Sequence, residues 1–278
     1  MQLWHALLLG LIQGLTEFLP VSSTAHLTLA EHLLLGKGMP LPFDVLLHVG
    51  TLLALVVYFR RDLLRVLAGM LGRDPGGLRL ALLLLAGMVP TGVLAMATRG
   101  FKEQAKAHLW VYGLCLLLTA ALLWAANRRA ARRPGRDLGR MEVLDALAVG
   151  AVQGLGGGFG LSRSGSTIAV GVFRGLGLAD ATRFSFLLGI PTIAAAAAVE
   201  SRPLLKALFS PGPLAGELAF PAGSAAPGLL CAAGVAMAAV SGYLAIGLLD
   251  RFTRRPRLGG FAAYCTLAGL LMLALGLR

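Results

Sequence analysis

Residues 10–23 read GLIQGLTEFLPVSS, and 140 positions later residues 150–163 read GAVQGLGGGFGLSR. Gly10/Gly150, Gln13/Gln153, Gly14/Gly154, Leu15/Leu155 and Ser22/Ser162 are identical across that shift. One residue later in offset, FDVLLHVGTLLA (43–54) faces FSFLLGIPTIAA (184–195). Leu and Ala alone would match through composition. The shared Gln-Gly-Leu, and a polar break placed alike before an apolar run, are not explained that way. The chain reads as two repeats, about 1–126 and about 142–278, joined by a basic linker at 127–141 within one integral membrane domain, 1–278.

The composition sets those repeats in a membrane. Of 278 residues, 57% are hydrophobic and 14% charged, and mean hydropathy is +0.78. Soluble globular chains run at about 45–50% apolar and about 25% charged. Apolar runs at about 43–59, 79–98, 108–126, 184–200, 226–249 and 259–277 suffice to cross a hydrocarbon core of about 30 Å. Secreted, disordered and ordinary cytosolic proteins are thereby excluded. Two further apolar stretches, 3–35 and 142–178, are broken. The first contains Gln13, Glu17, Pro20 and Ser22-Ser23-Thr24; the second contains Gly156-Gly157-Gly158, Gly160 and Ser162 through Ser166. Each predicts two short helices around a polar turn, because irregular backbone at membrane depth survives only inside protein or beside a wet cavity.

The net charge of +12 does not point to nucleic acid. Its arginines gather in loops 60–79 (Arg60, Arg61, Arg65, Arg73, Arg79), 127–141 (Arg128, Arg129, Arg132, Arg133, Arg136, Arg140) and 250–258 (Arg251, Arg254, Arg255, Arg257). Arg174 and Arg183 border a fourth loop on the same side and fit topology or headgroup contacts. The other side holds Lys37, Arg99, Lys102, Lys106, Arg202, Lys206 and Arg278. The positive-inside rule makes the arginine-rich loops cytoplasmic and puts both termini outside. Span 43–59 then runs inward and span 184–200 outward, so the repeats are inverted. The expected fold is all-α and polytopic, with about six spanning helices and two re-entrant hairpins meeting near the midplane. Discontinuous helices of inverted repeats are where such proteins place their sites. No cleavable signal peptide is expected, since the first Lys or Arg is Lys37. Cys115, Cys231 and Cys265 form no metal or disulfide pattern and read as packing residues.

The hairpin turns carry the chemistry. Gln13 and Glu17 share a helix face. A carboxylate inside a membrane segment costs at least about 2.5 kcal/mol, which marks Glu17 as functional rather than as a cap. Ser22, Ser23 and Thr24 are either N-caps or reactive hydroxyls. His26 falls three residues after Ser23, within contact across one turn, and a nearby imidazole makes a hydroxyl nucleophilic. In the second hairpin Arg163 is a fixed cation suited to grip phosphate, or to pair with Glu17. Ser162, Ser164 and Thr167 offer hydroxyls, and Gly165 permits close backbone approach beside a helix N-terminus. His5, His32, His48 and His108 lack such company and read as structural or interfacial, and Asp44 and Asp145 as boundary residues. A cationic clamp, hydroxyls, an imidazole and a carboxylate at membrane depth suit an amphiphile with a phosphate head and an apolar tail. Mg²⁺ or Ca²⁺ would take oxygen ligands such as Glu17 and the phosphates.

QGLTEFLPVSSTAH (13–26), GLSRSGSTIAVG (160–171), FDVLLHVGTLLA (43–54) and FSFLLGIPT (184–192) resemble the undecaprenyl-diphosphatase family, the bacitracin-resistance type of membrane phosphatase. The resemblance implies cleavage of undecaprenyl diphosphate to undecaprenyl phosphate and inorganic phosphate, which recycles the lipid carrier of the cell wall. It implies the bacterial inner membrane and a site opening to the outer, periplasmic side. It also implies a divalent cation, with Glu17 on that ion or accepting a proton, Arg163 on the diphosphate, and Ser23 or His26 nearest the attack. The family's (E/Q)xxxE element falls on Gln13 and Glu17, its PVSSTxH element on Pro20 through His26, and its SRSGxT element on Ser162 through Thr167. Gln13 supplies no anionic ligand at its position, and Phe159-Gly160 stands where the family usually has Pro-Gly. Expected partners are the polyprenyl diphosphate and membrane lipids, not nucleic acid, with a homodimer allowed. The alternative is a transporter or flippase that carries a phosphorylated lipid on the same anion site. The Ser23–His26 pairing beside Glu17 favours hydrolysis, because transport needs no activated hydroxyl.

Overall fold

The computed structural model describes residues 1–35, 41–105, 108–156, 160–201 and 226–276. Lys37, Lys106, Arg202, Lys206, Arg278 and the glycine-rich stretch 157–159 lie outside the described residues. The described residues are helical, in the order α1 (Leu3–Phe18), α2 (Ser23–Leu35), α3 (Leu41–Tyr58), α4 (Arg60–Met70), α5 (Pro75–Ala97), α6 (Arg99–Ala105) and α7 (Leu109–Arg132). The second half follows with α8 (Val143–Gly156), α9 (Arg163–Phe173), α10 (Leu178–Glu200), α11 (Pro227–Thr253) and α12 (Gly259–Gly276).

Five of these helices are long and apolar enough to cross a membrane, or six if the bent pair α3–α4 is one span. That makes the chain an all-α, polytopic membrane protein. The side chains sort accordingly. On α5, Leu82, Leu85, Val89, Val93 and Met96 are exposed at helical spacing, an apolar stripe suited to lipid. By contrast α1 and α8 have 16 and 14 residues, a rise of about 24 and about 21 Å that falls short of the hydrocarbon core. The two expected hairpins are α1–α2 and α8–α9.

One segment departs from expectation. Residues 60–70, read as loop, form α4, bent by 75° from α3 at Phe59. The bend follows from composition: the apolar run stops at Arg60-Arg61, and buried Asp62 pairs with Arg183 of α10. Beyond α4, Asp74 caps α5 by accepting Gly77 N at 2.9 Å, and it also accepts Arg65 Nε at 3.2 Å. These two bonds hold its carboxyl below the usual range.

Packing exchanges partners between the halves. α1 packs on α11, α8 packs on α5, and α7 packs on α12, with α3 against α10 between them. The matched glycines make this possible. A Cβ on Gly10 would lie 2.6 Å from the Gly234 carbonyl oxygen of α11, and one on Gly154 would lie 2.6 Å from that of Thr91 on α5. Small residues four apart let helix backbones touch, which is how helices associate where lipid removes the hydrophobic driving force. The exchange brings the two polar turns together.

The arginine-rich face is also more ordered than a topology signal requires. Fully buried Asp145, expected at a boundary, accepts Arg136 Nη2 and Arg174 Nε, each at 2.9 Å. Arg174 and Arg183 each sit in an ion pair with a buried aspartate, Asp145 and Asp62.

Candidate active site

Leu19 accepts the N–H of Val21 at 2.7 Å, and the chain then turns at Ser22, whose φ is +71°. A non-glycine residue in the left-handed region costs about 1–3 kcal/mol. This strain turns the chain back, so that Ser23, the first residue of α2, faces the end of α1. Ser23 Oγ donates to Glu17 Oε2 at 2.6 Å. Gln13 Nε2 reaches the same oxygen at 3.4 Å, as the shared helix face predicts.

The second hairpin completes the cluster. Arg163 Nη2 donates to Glu17 Oε1 at 2.8 Å. The pair is buried, the carboxylate 8% and the guanidinium 12% exposed. Glu17 thus receives a hydroxyl, an amide and a guanidinium, while Arg163 Nη1 is buried without a hydrogen-bond partner. A buried, unpaired N–H of a cation costs several kcal/mol unless a ligand satisfies it. The close face of Gly189 on α10 makes room for this nitrogen, since a Cβ there would collide with Arg163 Nη1.

A cavity of about 580 Å³ opens beside the cluster. Glu17, Ser22, Ser23, Thr24, Ser162 and Arg163, all singled out in the sequence, line it. One wall is apolar, with Met88, Ala95, Met96, Ala195, Ala196 and Val199. Arg99, Lys102 and Glu200 also line it. These three stand at or beyond the ends of α5 and α10, away from the arginine-rich loops where both helices begin.

Other expected site residues are elsewhere. His26 does not contact Ser23. Its Nδ1 lies 2.7 Å from the Ser22 carbonyl oxygen, its Nε2 lies 2.7 Å from the Tyr264 hydroxyl, and its ring stacks on Tyr264. The helical turn separating Ser23 from His26 points the imidazole to α12 and away from the cavity, so the group bonded to Ser23 Oγ is Glu17 and not His26. Thr167 bonds Ser185 Oγ at 2.6 Å and the Arg163 carbonyl at 2.7 Å. Ser164 Oγ donates to the Leu19 carbonyl at 3.2 Å and lies 3.3 Å from Ser162 Oγ. Gly165 approaches Thr119 and Ser162, not the cavity. Ser164, Gly165 and Thr167 therefore brace the Arg163 turn from behind, because α9 buries the face that carries them. Gln13 acts through Glu17 and does not line the cavity.

Sequence reasoning missed other lining residues. His48 lines the cavity, with Nδ1 3.1 Å from the Asp44 carbonyl oxygen. The spacing Asp44, His48, Thr51 marks one helix face, but nothing in the sequence says that face meets Glu17. Gln153 donates to Thr192 Oγ1 at 2.9 Å and Thr91 Oγ1 at 3.3 Å, and its Oε1 is buried without a partner. Its match to Gln13 was the available signal. Lys102 Nζ donates to the Gly154 carbonyl at 2.6 Å.

Fold and site together define a polytopic membrane protein whose cavity sets a buried Glu17–Arg163 pair beside an apolar wall. The chain belongs to the bacitracin resistance protein BacA family, whose model matches residues 6–271. Its relatives include proteins named undecaprenyl-diphosphatase from Syntrophotalea carbinolica (40% identical, covering 99% of each chain) and Desulfosudis oleivorans (39%, covering 99% of this chain and 98% of the relative). Another, from Carboxydothermus hydrogenoformans, carries the same name and is 36% identical over 99% of this chain and 98% of its own.

Proposed function

We propose that this chain hydrolyses undecaprenyl diphosphate to undecaprenyl phosphate and inorganic phosphate, recycling the cell-wall lipid carrier and conferring resistance to bacitracin. The observation that carries the chemistry is the Ser23–Glu17–Arg163 chain, a short hydroxyl-to-carboxylate bond beside a guanidinium with a nitrogen to spare. The terminal phosphate binds Arg163 Nη1, which pairs with phosphate oxygens better than any neutral donor. Ser23 Oγ attacks its phosphorus while Glu17 takes the hydroxyl proton. The bond to the bridging oxygen breaks and the electrons leave with undecaprenyl phosphate. Glu17 passes that proton to the departing phosphate oxygen. Ionised again, it deprotonates a water that attacks the phosphoserine phosphorus. The bond from phosphorus to Ser23 Oγ breaks, Oγ recovers the proton from Glu17 and inorganic phosphate leaves. His26 Nδ1 and Nε2 are both engaged outside the cavity, which supports Ser23 over His26 as nucleophile. No observation favours transport over hydrolysis.

Among the described residues no cluster of three or more His, Cys, Asp or Glu could hold a metal ion. Among the described residues Glu17 is the carboxylate at the two hairpin turns, so a Mg²⁺ or Ca²⁺ ion there would be held by Glu17 together with diphosphate oxygens of the substrate. Such an ion would supply neutralisation of charge on the transferred group. Arg99, Lys102 and Glu200 lining the cavity opposite the arginine-rich loops support an outward opening in the bacterial cytoplasmic membrane, with both termini outside. The matched stretches support inverted repeats at about 1–126 and 142–278. A homodimer is carried as an expectation, tested by the mass of the detergent-solubilised protein.

The deciding experiment is phosphate release from undecaprenyl diphosphate by purified protein in detergent, with Mg²⁺ or Ca²⁺ and after chelation. Divalent-dependent release is expected. Folded protein that binds the lipid and releases no phosphate would overturn hydrolysis and leave transport.

A further inference from the structure

A second cavity, of about 290 Å³, lies at the opposite face. Three separate segments wall it: the end of α7 with Arg129 and Arg133, the turn after α11 with Arg254 and Arg255, and the start of α10 at Gly177–Asp180. Helix α10 runs from this cleft to Glu200 in the catalytic cavity. Its 23 residues separate the two by about 34 Å. The cleft therefore takes no part in the hydrolysis.

Its charges are poorly compensated. Arg254 pairs with Asp250 at 3.2 Å, but among the described residues Arg129, Arg133 and Arg255 make no ion pair. The one carboxylate in the lining, Asp180, already accepts the Leu138 N–H at 3.1 Å. Gly177 gives α10 no side-chain cap, so the first N–H groups of that helix add positive potential on the same side. Arginines at the ends of α7 and α11 satisfy topology and helix dipoles singly. Neither requirement calls for four of them to converge from two segments onto one walled space, where they repel one another. Val172, Leu176 and Leu178 give the cleft an apolar wall beside its charges.

We propose that this arginine cleft binds the phosphodiester headgroup of an anionic phospholipid of the adjoining leaflet. Guanidinium forks match phosphate oxygens, and basic pockets between membrane helices are where such headgroups lodge. The apolar wall takes the first carbons of an acyl chain, which a free phosphate would not use.

The test is native mass spectrometry of the full chain released from detergent with phosphatidylglycerol, cardiolipin or phosphatidylcholine. The first variant neutralises the cleft (Arg129→Gln, Arg133→Gln, Arg255→Gln). The second removes the same charge on the same face outside it (Arg128→Gln, Arg132→Gln, Arg257→Gln). Adducts with the two anionic lipids, falling at least fivefold in the first variant and retained in the second, are the expected result. Folding and topology of the first variant are checked by its phosphate release, which stays at the wild-type level. Equal adducts with phosphatidylcholine would overturn the proposal. So would equal loss in both variants, which means diffuse charge. Binding of inorganic phosphate that displaces the lipid equally well from wild type would also overturn it.

Discussion

Ser23 and Arg163 stand 140 residues apart, each the first residue of the helix that closes its hairpin. Both follow a serine whose hydroxyl accepts a backbone N–H of the helix's first turn. One is a hydroxyl that donates to Glu17 from within the same hairpin, and the other is a cation that reaches Glu17 across the molecule. The counterpart of Glu17 in the second repeat is Gly157. In the proposed reaction the first hairpin supplies the attacking oxygen and its proton acceptor, and the second supplies the charge that grips an anion. Among the differences between the two matched hairpins, the proposed division of work rests on two, Glu17/Gly157 and Ser23/Arg163.

The severest way to break this division is Arg163→Ala. Phosphate release should fall by about 10³-fold, the scale of losing an arginine that neutralises a transferred phosphoryl group. Arg163→Lys should recover only part of it, because a point charge cannot pair with Glu17 and phosphate through two nitrogens. Activity near wild type in either would break the comparison.

Gly189→Ala tests the same nitrogen without touching its charge. The added methyl must push Arg163 aside, and misplacement by about 1 Å costs up to about 10²-fold. The loss should appear in kcat/KM with thermal stability in detergent unchanged, since only the tip of a flexible side chain moves. Unchanged kinetics would mean that Nη1 is not used.

A smaller effect is expected at His26, whose bond to the Ser22 carbonyl steadies the strained turn. His26→Ala should lower phosphate release about tenfold, the cost of roughly one hydrogen bond of about 1.4 kcal/mol. His26→Asn, with a donor in reach, should restore some of it. Equal and complete loss in both would return the nucleophile to the imidazole. The smallest effect contrasts the two caps. Ser162 has φ −57° and accepts Gly165 N at 3.1 Å, so Ser162→Ala should cost about 1 kcal/mol of stability. Ser22 has φ +71° and accepts Ala25 N at only 3.4 Å, so Ser22→Gly should cost nothing or stabilise by up to about 1 kcal/mol. Thermal unfolding of the two variants in one detergent reads the difference.

Much of this was written in the sequence, for physical reasons. Membrane spans are legible because a hydrocarbon slab demands length and apolarity, and the broken stretches because polar residues there need a cause. Gln13 and Glu17 on one face, and Arg163 as an anion grip or partner of Glu17, followed from spacing and charge. Three things did not. The direction of His26 depends on α12, which is 238 residues away. The inward turn of Ser164 and Thr167 depends on which face α9 buries. The presence of His48 and Gln153 in the cavity depends on the exchange of helices between halves. That exchange had a trace in the matched pairs Gly10/Gly150 and Gly14/Gly154, whose spacing of four marks close helix contact, but a pair of glycines does not name the helix it touches.

The central claim is that one hairpin grips and the other reacts. Paired measurement of lipid-diphosphate binding and phosphate release in Ser23→Ala and Arg163→Ala tests it most directly. The account predicts that Ser23→Ala binds undecaprenyl diphosphate within a few-fold of wild type and releases no phosphate, while Arg163→Ala loses both. Arg163→Ala that binds as wild type, with Ser23→Ala losing the lipid, would contradict it.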